Sequence, residues 1–518
     1  MTRTRKVAGS VFLSLTSQVA AMVVGLWLTR FILFRLGQHD YGVWLIILQS
    51  LGYVALADIG VVAVLPRQTA FVTGKDAPPD ALPTLVGETA RLVLWQTPIV
   101  MGLCVVAWLL FPHHGTWTTS HGPLAAMLAI FAIAFPLRLF PAILQGLQDL
   151  VFLGWLQLAT WLLNTIVVVS ALWAGLGLYA LALAWAATQI IPPLVGWHRL
   201  RTVHRHALPA RLPPLTWPDA RRHLASALWV SLGQMSNALS SGADVLIVGA
   251  VLGPSVVVPY VITLKLITVI GNLPVTVAHA AGPGLSQMRV GESRHDLRRA
   301  TDALAQAVLA ATGVVACVIV AVNRGFVGWW VGPDRYAGAL ITLVGVALML
   351  LRHYGTTVVF AVYSFGHERR LAIVGIVQGA VSVSLSIVLV KTIGLVGALI
   401  GPIAAEFLVV LPGVLPVLAR ETDTTVSGLL LRQLPFALRL GLALALGAAL
   451  GSWLAPTAPL LLAVTSLLAA AAYVALIAPV ALRPPLREYV VQIAHVVRAR
   501  LGLAPAPPTV PPPAPAVP

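Results

Sequence analysis

Residues 11–70 read VFLSLTSQVAAMVVGLWLTRFILFRLGQHDYGVWLIILQSLGYVALADIGVVAVLPRQTA. Two apolar segments, Val11–Leu33 and Val43–Leu65, flank the short connection Leu36-Gly37-Gln38-His39-Asp40-Tyr41-Gly42. About 20 mostly apolar residues are enough for a helix to cross a bilayer, and the connection is too short to hold a domain. The stretch therefore predicts a membrane hairpin made of two spanning helices.

This pattern returns about 216 residues later in the chain. Gln18 stands 19 positions before Gly37, Gln234 stands 19 positions before Gly253, and a leucine precedes each glycine. A second pair of similar sites is Gly175-Leu176 and Gly394-Leu395, each at the start of an apolar segment. A hairpin that recurs at this distance predicts two homologous halves with the functional site between them.

The composition excludes an ordinary soluble protein. Hydrophobic residues make up 58% of the 518 residues and charged residues 10%, whereas soluble proteins carry about 25% charged residues. The formal net charge is +16, but the basic residues lie mainly in short connections between apolar segments, where they set orientation in a bilayer. We therefore expect an integral membrane protein and no nucleic-acid partner.

The fold class that the sequence predicts is all-α, a polytopic membrane protein with about 14 transmembrane helices. The apolar segments are Val11–Leu33, Val43–Leu65, Leu92–Leu110, Leu124–Leu147, Val151–Ala174, Leu178–Leu194, Leu224–Val251, Pro259–Ala281, Ala303–Val322, Ala337–Val362, Leu371–Val390, Leu395–Val417, Pro435–Leu454 and Leu460–Leu482.

The distribution of Lys and Arg predicts the orientation. If the N-terminus is cytoplasmic, 25 of the 33 basic residues fall on the cytoplasmic side, 4 on the opposite side and 4 within helices. Cytoplasmic connections carry the excess of positive charge in membrane proteins, so both termini are expected in the cytoplasm.

The segments group into two lobes. We predict an N-lobe (1–197, six helices), a basic cytoplasmic linker (198–223), a C-lobe (224–417, six helices), two additional helices (418–482) and a Pro-rich cytoplasmic tail (483–518). Because each lobe has an even number of helices, the two are expected to be related by an axis along the membrane normal.

Seven ionisable residues within the predicted spans are candidates for the site, because charge there is costly and usually faces a protein interior or a wet cavity. They are Arg30, Asp58, Arg138, Asp244, Lys265, Arg352 and Glu406. Arg30 either snorkels towards the outer surface or binds substrate. Lys265 either pairs with Asp244 or binds substrate. Arg138, between Pro136 and Pro141, and Arg352 are expected to face one central cavity, and the carboxylates are candidates for ion coupling or pairing.

A cavity with surplus positive charge predicts an anionic substrate, since the planar guanidinium group suits phosphate. Gln234 and Asn237 add polar groups that would suit sugar hydroxyls, or would instead form hydrogen bonds between helices. His113, His114 and His121 share one loop without a carboxylate or cysteine beside them, so no metal site is predicted. The sequence contains no Gly-Lys-Ser/Thr nucleotide loop, so we expect no cofactor and no direct use of ATP.

Several stretches resemble the bacterial lipid-linked polysaccharide flippases of the O-antigen (Wzx) type, within the superfamily that also holds the multidrug-and-toxin extruders and the peptidoglycan lipid flippase. They are Thr29-Arg30-Phe31, Leu56-Ala57-Asp58-Ile59-Gly60, Asp244-Val245-Leu246-Ile247-Val248-Gly249 and Gly394-Leu395-Val396-Gly397-Ala398. The resemblance implies alternating access between two lobes and a non-enzymatic function in the bacterial inner membrane. The implied cargo is an undecaprenyl-diphosphate-linked oligosaccharide for O-antigen, lipopolysaccharide or exopolysaccharide synthesis, with a polysaccharide polymerase and glycosyltransferases as partners.

Two other functions are compatible with the sequence. A cation-coupled drug extruder of the same fold would favour an anionic cavity, whereas the surplus of charge in these spans is positive. A membrane scaffold for polysaccharide assembly would not require buried cations in both halves.

Overall fold

The computed structural model describes residues 3–58, 60–73, 78, 80–111, 117, 120–214, 216–484 and 486–487. Side chains are described from residue 22 onward, apart from positions 57, 222, 226, 229, 237, 240, 241, 277, 280, 282, 283 and 290. Within these ranges every regular element is a helix. Of the predicted tail, 483–518, residues 485 and 488–518 lie outside the described residues.

The chain forms two compact units, Met1–Ile262 with Gly375–Pro402, and Thr263–Val374 with Ile403–Pro518. In chain order, the first nine helices are α1 (Arg3–Val54), α2 (Val61–Val72), α3 (Ala81–Leu110), α4 (His121–Ala134), α5 (Leu139–Gly146), α6 (Leu150–Trp173), α7 (Leu178–Val203), α8 (Trp217–Leu252) and α9 (Pro254–Thr263). The remaining helices are α10 (Lys265–Ile270), α11 (Val275–Gly291), α12 (Arg294–Val331), α13 (Ala339–Ser364), α14 (Glu368–Ile393), α15 (Gly397–Ala405), α16 (Leu411–Glu421), α17 (Val426–Leu454) and α18 (Pro459–Ala481).

At the predicted hairpin, the range Arg3–Val54 consists of two helices that meet at a sharp break at Gly37. Gly37 has φ 82 and ψ 171, a conformation that is essentially restricted to glycine. Gly253, its counterpart in the repeat, has φ 93 and ψ 161 at the end of α8. The sequence repeat is therefore also a repeat of backbone conformation.

The two repeated turns contact each other within the first unit. Gln38 donates a hydrogen bond from Nε2 to the Ser255 carbonyl (2.8 Å), and His39 Nδ1 lies 3.4 Å from Ser255 Oγ. A side chain at Gly42 would collide with the Pro254 carbonyl. This close approach joins α1 to the α8–α9 corner, and Tyr53 extends the contact by donating to the Ala238 carbonyl at 3.0 Å.

The second unit is organised around α12. Helices α17 and α18, the predicted additions, pack along α12 and on each other. The close approach depends on glycines: a side chain at Gly313 would collide with Tyr473, and one at Gly451 with the Ala321 carbonyl. The additional helices therefore form part of the core of this unit, in which Phe436 and Tyr473 are almost completely buried.

Nine helices in the described part of the chain are long and apolar enough to cross a membrane. The all-α polytopic fold class is confirmed. Some predicted spans are interrupted: the second contains the 3-10 turn Ala55–Ala57 between α1 and α2, and the eighth is divided among α9, α10 and α11. The twelfth, predicted as Leu395–Val417, contains a π-helical turn at Glu406–Val410.

Candidate functional site

Asp58 lies at a break in the membrane segment that follows α1. The short 3-10 turn Ala55–Ala57 ends at Asp58, and Gly60, with φ 67, begins α2. A side chain at Gly60 would lie 2.6 Å from Ser231 Oγ and 2.7 Å from the Ala227 carbonyl of α8. Close packing against α8 and a positive φ both require glycine at Gly60, and the resulting turn fixes Asp58, which is 8% exposed.

Arg138 ends a second break, the 3-10 turn Phe135–Arg138 between α4 and α5. Proline at positions 136 and 141 removes two backbone donors here. The Arg138 guanidinium lies 5.9 Å from the centroid of the Phe131 ring and acts electrostatically on the Asp58 carboxylate. The first unit thus contains an arginine whose charge acts on a buried carboxylate, a relation that the sequence analysis did not predict.

Buried polar atoms around this pair lack hydrogen-bond partners among the described residues. They include Asp58 Oδ1 and Arg138 Nη1. They also include both amide atoms of Gln96, which is 4% exposed and lies on α3, a helix that packs against the Arg138 turn. Because buried polar groups normally have partners, this part of the unit can receive a polar ligand or solvent.

Gln96 was missed by the sequence analysis. Its only signal was an amide within an otherwise apolar span, Leu92–Leu110.

The second unit also combines an arginine with a carboxylate. Arg352 lies on the uninterrupted helix α13, and its charge acts on Glu406, which is 3% exposed and opens the π-helical turn. A side chain at Gly355 would collide with Glu406 Oε1, so this glycine makes room for the carboxylate against α13. His353, also buried, lies 2.9 Å through Nδ1 from Thr312 Oγ1 of α12.

The other predicted site residues are distributed over both units. Asp244 accepts a hydrogen bond from Tyr260 Oη at 2.7 Å, and Lys265 is the half-buried first residue of α10. Gln234 is exposed on α8, while the side chain of Asn237 lies outside the described residues. The pairing of Asp244 with Lys265, the shared cavity for Arg138 and Arg352, and ion coupling stay predictions.

Arg30 is exposed on α1 beside Arg35 and three aromatic rings. These residues line an open groove in the first unit, near the Gly37 turn. The role of Arg30 in substrate binding stays a prediction.

No family model and no curated protein matches the chain. Solved structures do match. The lipid II flippase MurJ in an inward closed conformation aligns with 91% of this chain and 100% of its own, at 11% identity and a TM-score of 0.62. The fold is that of the MATE and MurJ transporters.

Two conformations of a multidrug resistance MATE family transporter of the MOP superfamily have the same fold. The inward-facing structure covers 79% of this chain and 96% of its own, at 14% identity and a TM-score of 0.56. The outward-facing structure covers 80% and 96%, at 15% identity and a TM-score of 0.52. At these identities the comparison establishes a multi-pass MATE/MurJ fold, and the cargo has to be argued from the residues.

Proposed function

We propose that this protein is a flippase that moves an undecaprenyl-diphosphate-linked oligosaccharide between membrane leaflets by alternating access. The direction is from the cytoplasmic to the periplasmic leaflet of a bacterial inner membrane, with both termini in the cytoplasm. The product would serve surface polysaccharide synthesis, as in O-antigen, lipopolysaccharide or exopolysaccharide assembly. A polymerase and glycosyltransferases are the proposed partners.

The main support for the proposal is the buried environment of Arg138. This arginine lies inside a broken membrane span, and its Nη1 is buried without a hydrogen-bond partner among the described residues. Guanidinium groups bind phosphate through charge-assisted hydrogen bonds, and a diphosphate is the part of a lipid-linked sugar that is most costly to place in a bilayer. The fold shared with a lipid II flippase supports the same class of cargo.

Arg352 supplies a second cation in the other unit. Alternating access requires that the cargo have different affinities for the two conformations, because only a differential affinity shifts an equilibrium. We propose that the diphosphate engages Arg138 and Arg352 to different extents in the two conformations. Asp58 and Glu406, the carboxylates beside them, are the proposed ion-coupling groups.

The test is transport of a labelled undecaprenyl-diphosphate oligosaccharide in proteoliposomes, together with surface polysaccharide in cells that depend on this chain. Arg138→Ala and Arg352→Ala are each expected to reduce transport at least 10-fold and to abolish the polysaccharide while protein remains in the membrane. Arg138→Lys should retain part of the activity because it keeps the charge but loses the planar fork. Arg211→Ala, an exposed arginine of the linker, is the matched control and should transport normally.

Normal polysaccharide in both alanine variants would overturn the proposal. If those variants instead lost resistance to cationic drugs, the chain would be a drug extruder. Loss of neither property, with polysaccharide lost only on deletion of the chain, would favour an assembly scaffold.

A further inference from the structure

An open groove of about 390 Å³ lies on the surface of α1 before the Gly37 turn. The five described residues that line it are two arginines and three aromatic residues: Trp27, Arg30, Phe31, Phe34 and Arg35. Trp27 and Phe34 are 51% and 57% exposed, and both arginines are exposed. A groove with two permanent positive charges and an apolar floor has the character of a site for an amphiphilic anion.

The rings hold both guanidinium groups in position. Arg30 lies 5.6 Å from the Phe34 ring centroid. Arg35 lies 5.7 Å from the Phe31 ring and 5.2 Å from the Trp173 ring of α6, and Trp27 stacks on Phe31 at 5.5 Å. Contacts to ring faces leave the N–H edges of a guanidinium available to an oxygen ligand, and cation–π contacts reduce the freedom lost on binding.

The position along α1 suits the headgroup region of one leaflet. Arg35 and Arg30 precede Gly37 by two and seven residues, which corresponds to about 3 and 10 Å of helix. The polar region of a leaflet is about 5–8 Å thick on each side of the hydrocarbon core. With the Gly37 turn at the membrane surface, Arg35 lies within this polar region, whereas Arg30 lies deeper and reaches the phosphates by extending its side chain. Trp27 then extends towards the acyl chains.

We propose that this groove binds the phosphate headgroup of an anionic phospholipid in the leaflet at the Gly37 end of α1. Arg30 and Arg35 bind the phosphate, and Trp27, Phe31 and Phe34 pack against the start of the acyl chains. Anionic lipids are favoured over zwitterionic lipids because the two arginines supply a net charge of about +2 at the membrane surface. The inference does not rest on the proposed transport function.

The experiment is native mass spectrometry of the purified full chain titrated with phosphatidylglycerol or phosphatidylcholine of identical acyl chains. The wild-type chain is expected to retain one phosphatidylglycerol with about 10-fold higher affinity than phosphatidylcholine, a difference of about 1.4 kcal/mol. Arg30→Gln combined with Arg35→Gln should abolish this preference. Arg30→Lys combined with Arg35→Lys should retain only part of it, because lysine keeps the charge without the planar fork.

Arg324→Gln combined with Lys391→Gln is the matched control. These two exposed residues belong to the same predicted side of the membrane, and their removal changes the net charge by the same amount. The control should keep the 10-fold preference. Equal loss in the control would show a general effect of charge and overturn the proposal, as would an unchanged preference in the Arg30/Arg35 variant.

The cargo itself is the competing ligand. If an equimolar amount of undecaprenyl diphosphate displaces phosphatidylglycerol from the wild-type chain, the groove belongs to the cargo and the inference is wrong. If transport fails in every assay but the lipid preference and its loss in the Arg30/Arg35 variant persist, only the transport proposal falls.

Discussion

Each of the two units places a membrane arginine beside a buried carboxylate, but a different backbone device holds each pair. In the first unit, Asp58 and Arg138 both lie at 3-10 turns that interrupt the spans. In the second, Arg352 lies on an unbroken helix, and Glu406 opens a π-helical turn. Similar chemistry is thus obtained by breaking two helices in one unit and by widening a single helix in the other.

The two pairs differ in their hydrogen bonding and burial. Asp58 Oδ1 and Arg138 Nη1 lack hydrogen-bond partners among the described residues. Glu406 is more deeply buried than Asp58, at 3% against 8% exposure, and lies against the Gly355 backbone. We infer that the first unit keeps polar atoms ready for a ligand, whereas in the second unit the carboxylate is also packed against a neighbouring helix.

The largest effects on stability are expected when one of the two charged side chains in the second unit is replaced. Arg352→Gln should lower the free energy of unfolding, by at most about 3–5 kcal/mol, because it removes a cation that acts on the buried Glu406. Glu406→Gln alone should also destabilise, and the double variant should recover part of the loss, with a coupling energy of about 0.5–3 kcal/mol. Chemical denaturation in mixed micelles measures all four members of this cycle.

The same cycle with Asp58→Asn and Arg138→Gln is the internal comparison. Its coupling energy should be smaller, since Asp58 is less buried and the attraction between charges weakens as solvent approaches. A larger coupling in the first unit would contradict the expectation that the more deeply buried pair interacts more strongly.

A smaller effect is expected when the space for Glu406 is filled. Gly355→Ala should cost about 2–3 kcal/mol, because a methyl group there collides with Glu406 Oε1 and overpacking of a tight site is destabilising. Thermal unfolding in detergent measures the change. Combining Gly355→Ala with Glu406→Asp should restore part of the stability, since the shorter side chain withdraws from the added methyl group.

Gly102→Ala is the matched control for this variant, because it lies within α3 and has no atom within 4 Å of the added position. It should be neutral or slightly stabilising, by at most about 1 kcal/mol. Equal thermal stability of Gly355→Ala and Gly102→Ala would mean that Glu406 does not pack against α13 as described.

The helix interruptions could be predicted only where the sequence contains residues that are typical of a break in a helix. Proline at 136 and 141 marked the interruption at Arg138, and the Leu-Gly pairs marked the turns at Gly37 and Gly253, because these residues restrict or extend backbone freedom in characteristic ways. The break at Asp58–Gly60 was missed, although Gly60 was visible, since an isolated glycine within an apolar run is also common in a continuous membrane helix.

The π-helical turn at Glu406 had no comparable signal. A π-helical turn is a rare, single-turn departure from the α-helix, and the residue that Glu406 packs against, Gly355, lies 51 residues earlier in the sequence. The partnership of Asp58 with Arg138 was likewise hidden, because hydrophobic patterning gives the number of spans and not which faces meet. The sequence identified the four charged residues, and the structure showed that Arg138 acts on Asp58 and Arg352 on Glu406.

The smallest effects concern the two repeated turns, where the halves should behave alike. Gly37→Ala and Gly253→Ala should each cost about 1–2 kcal/mol, since both positions have a positive φ with an extended ψ that an L-residue rarely adopts. Neither has an atom within 4 Å of an added methyl group, so backbone strain is the only expected term. The two costs should agree within about 0.5 kcal/mol in the same denaturation assay.

The double variant sharpens this test, because the turns touch through Gln38, His39 and Ser255. Sites in contact do not add independently, so the double variant should differ from the summed single costs by about 0.5 kcal/mol or more. Simple additivity would mean that each turn relaxes without disturbing the other. If Gly37→Ala destabilised the protein and Gly253→Ala did not, the two turns would be similar in sequence but not in conformation. The same backbone conformation at both glycines should give the same loss of stability.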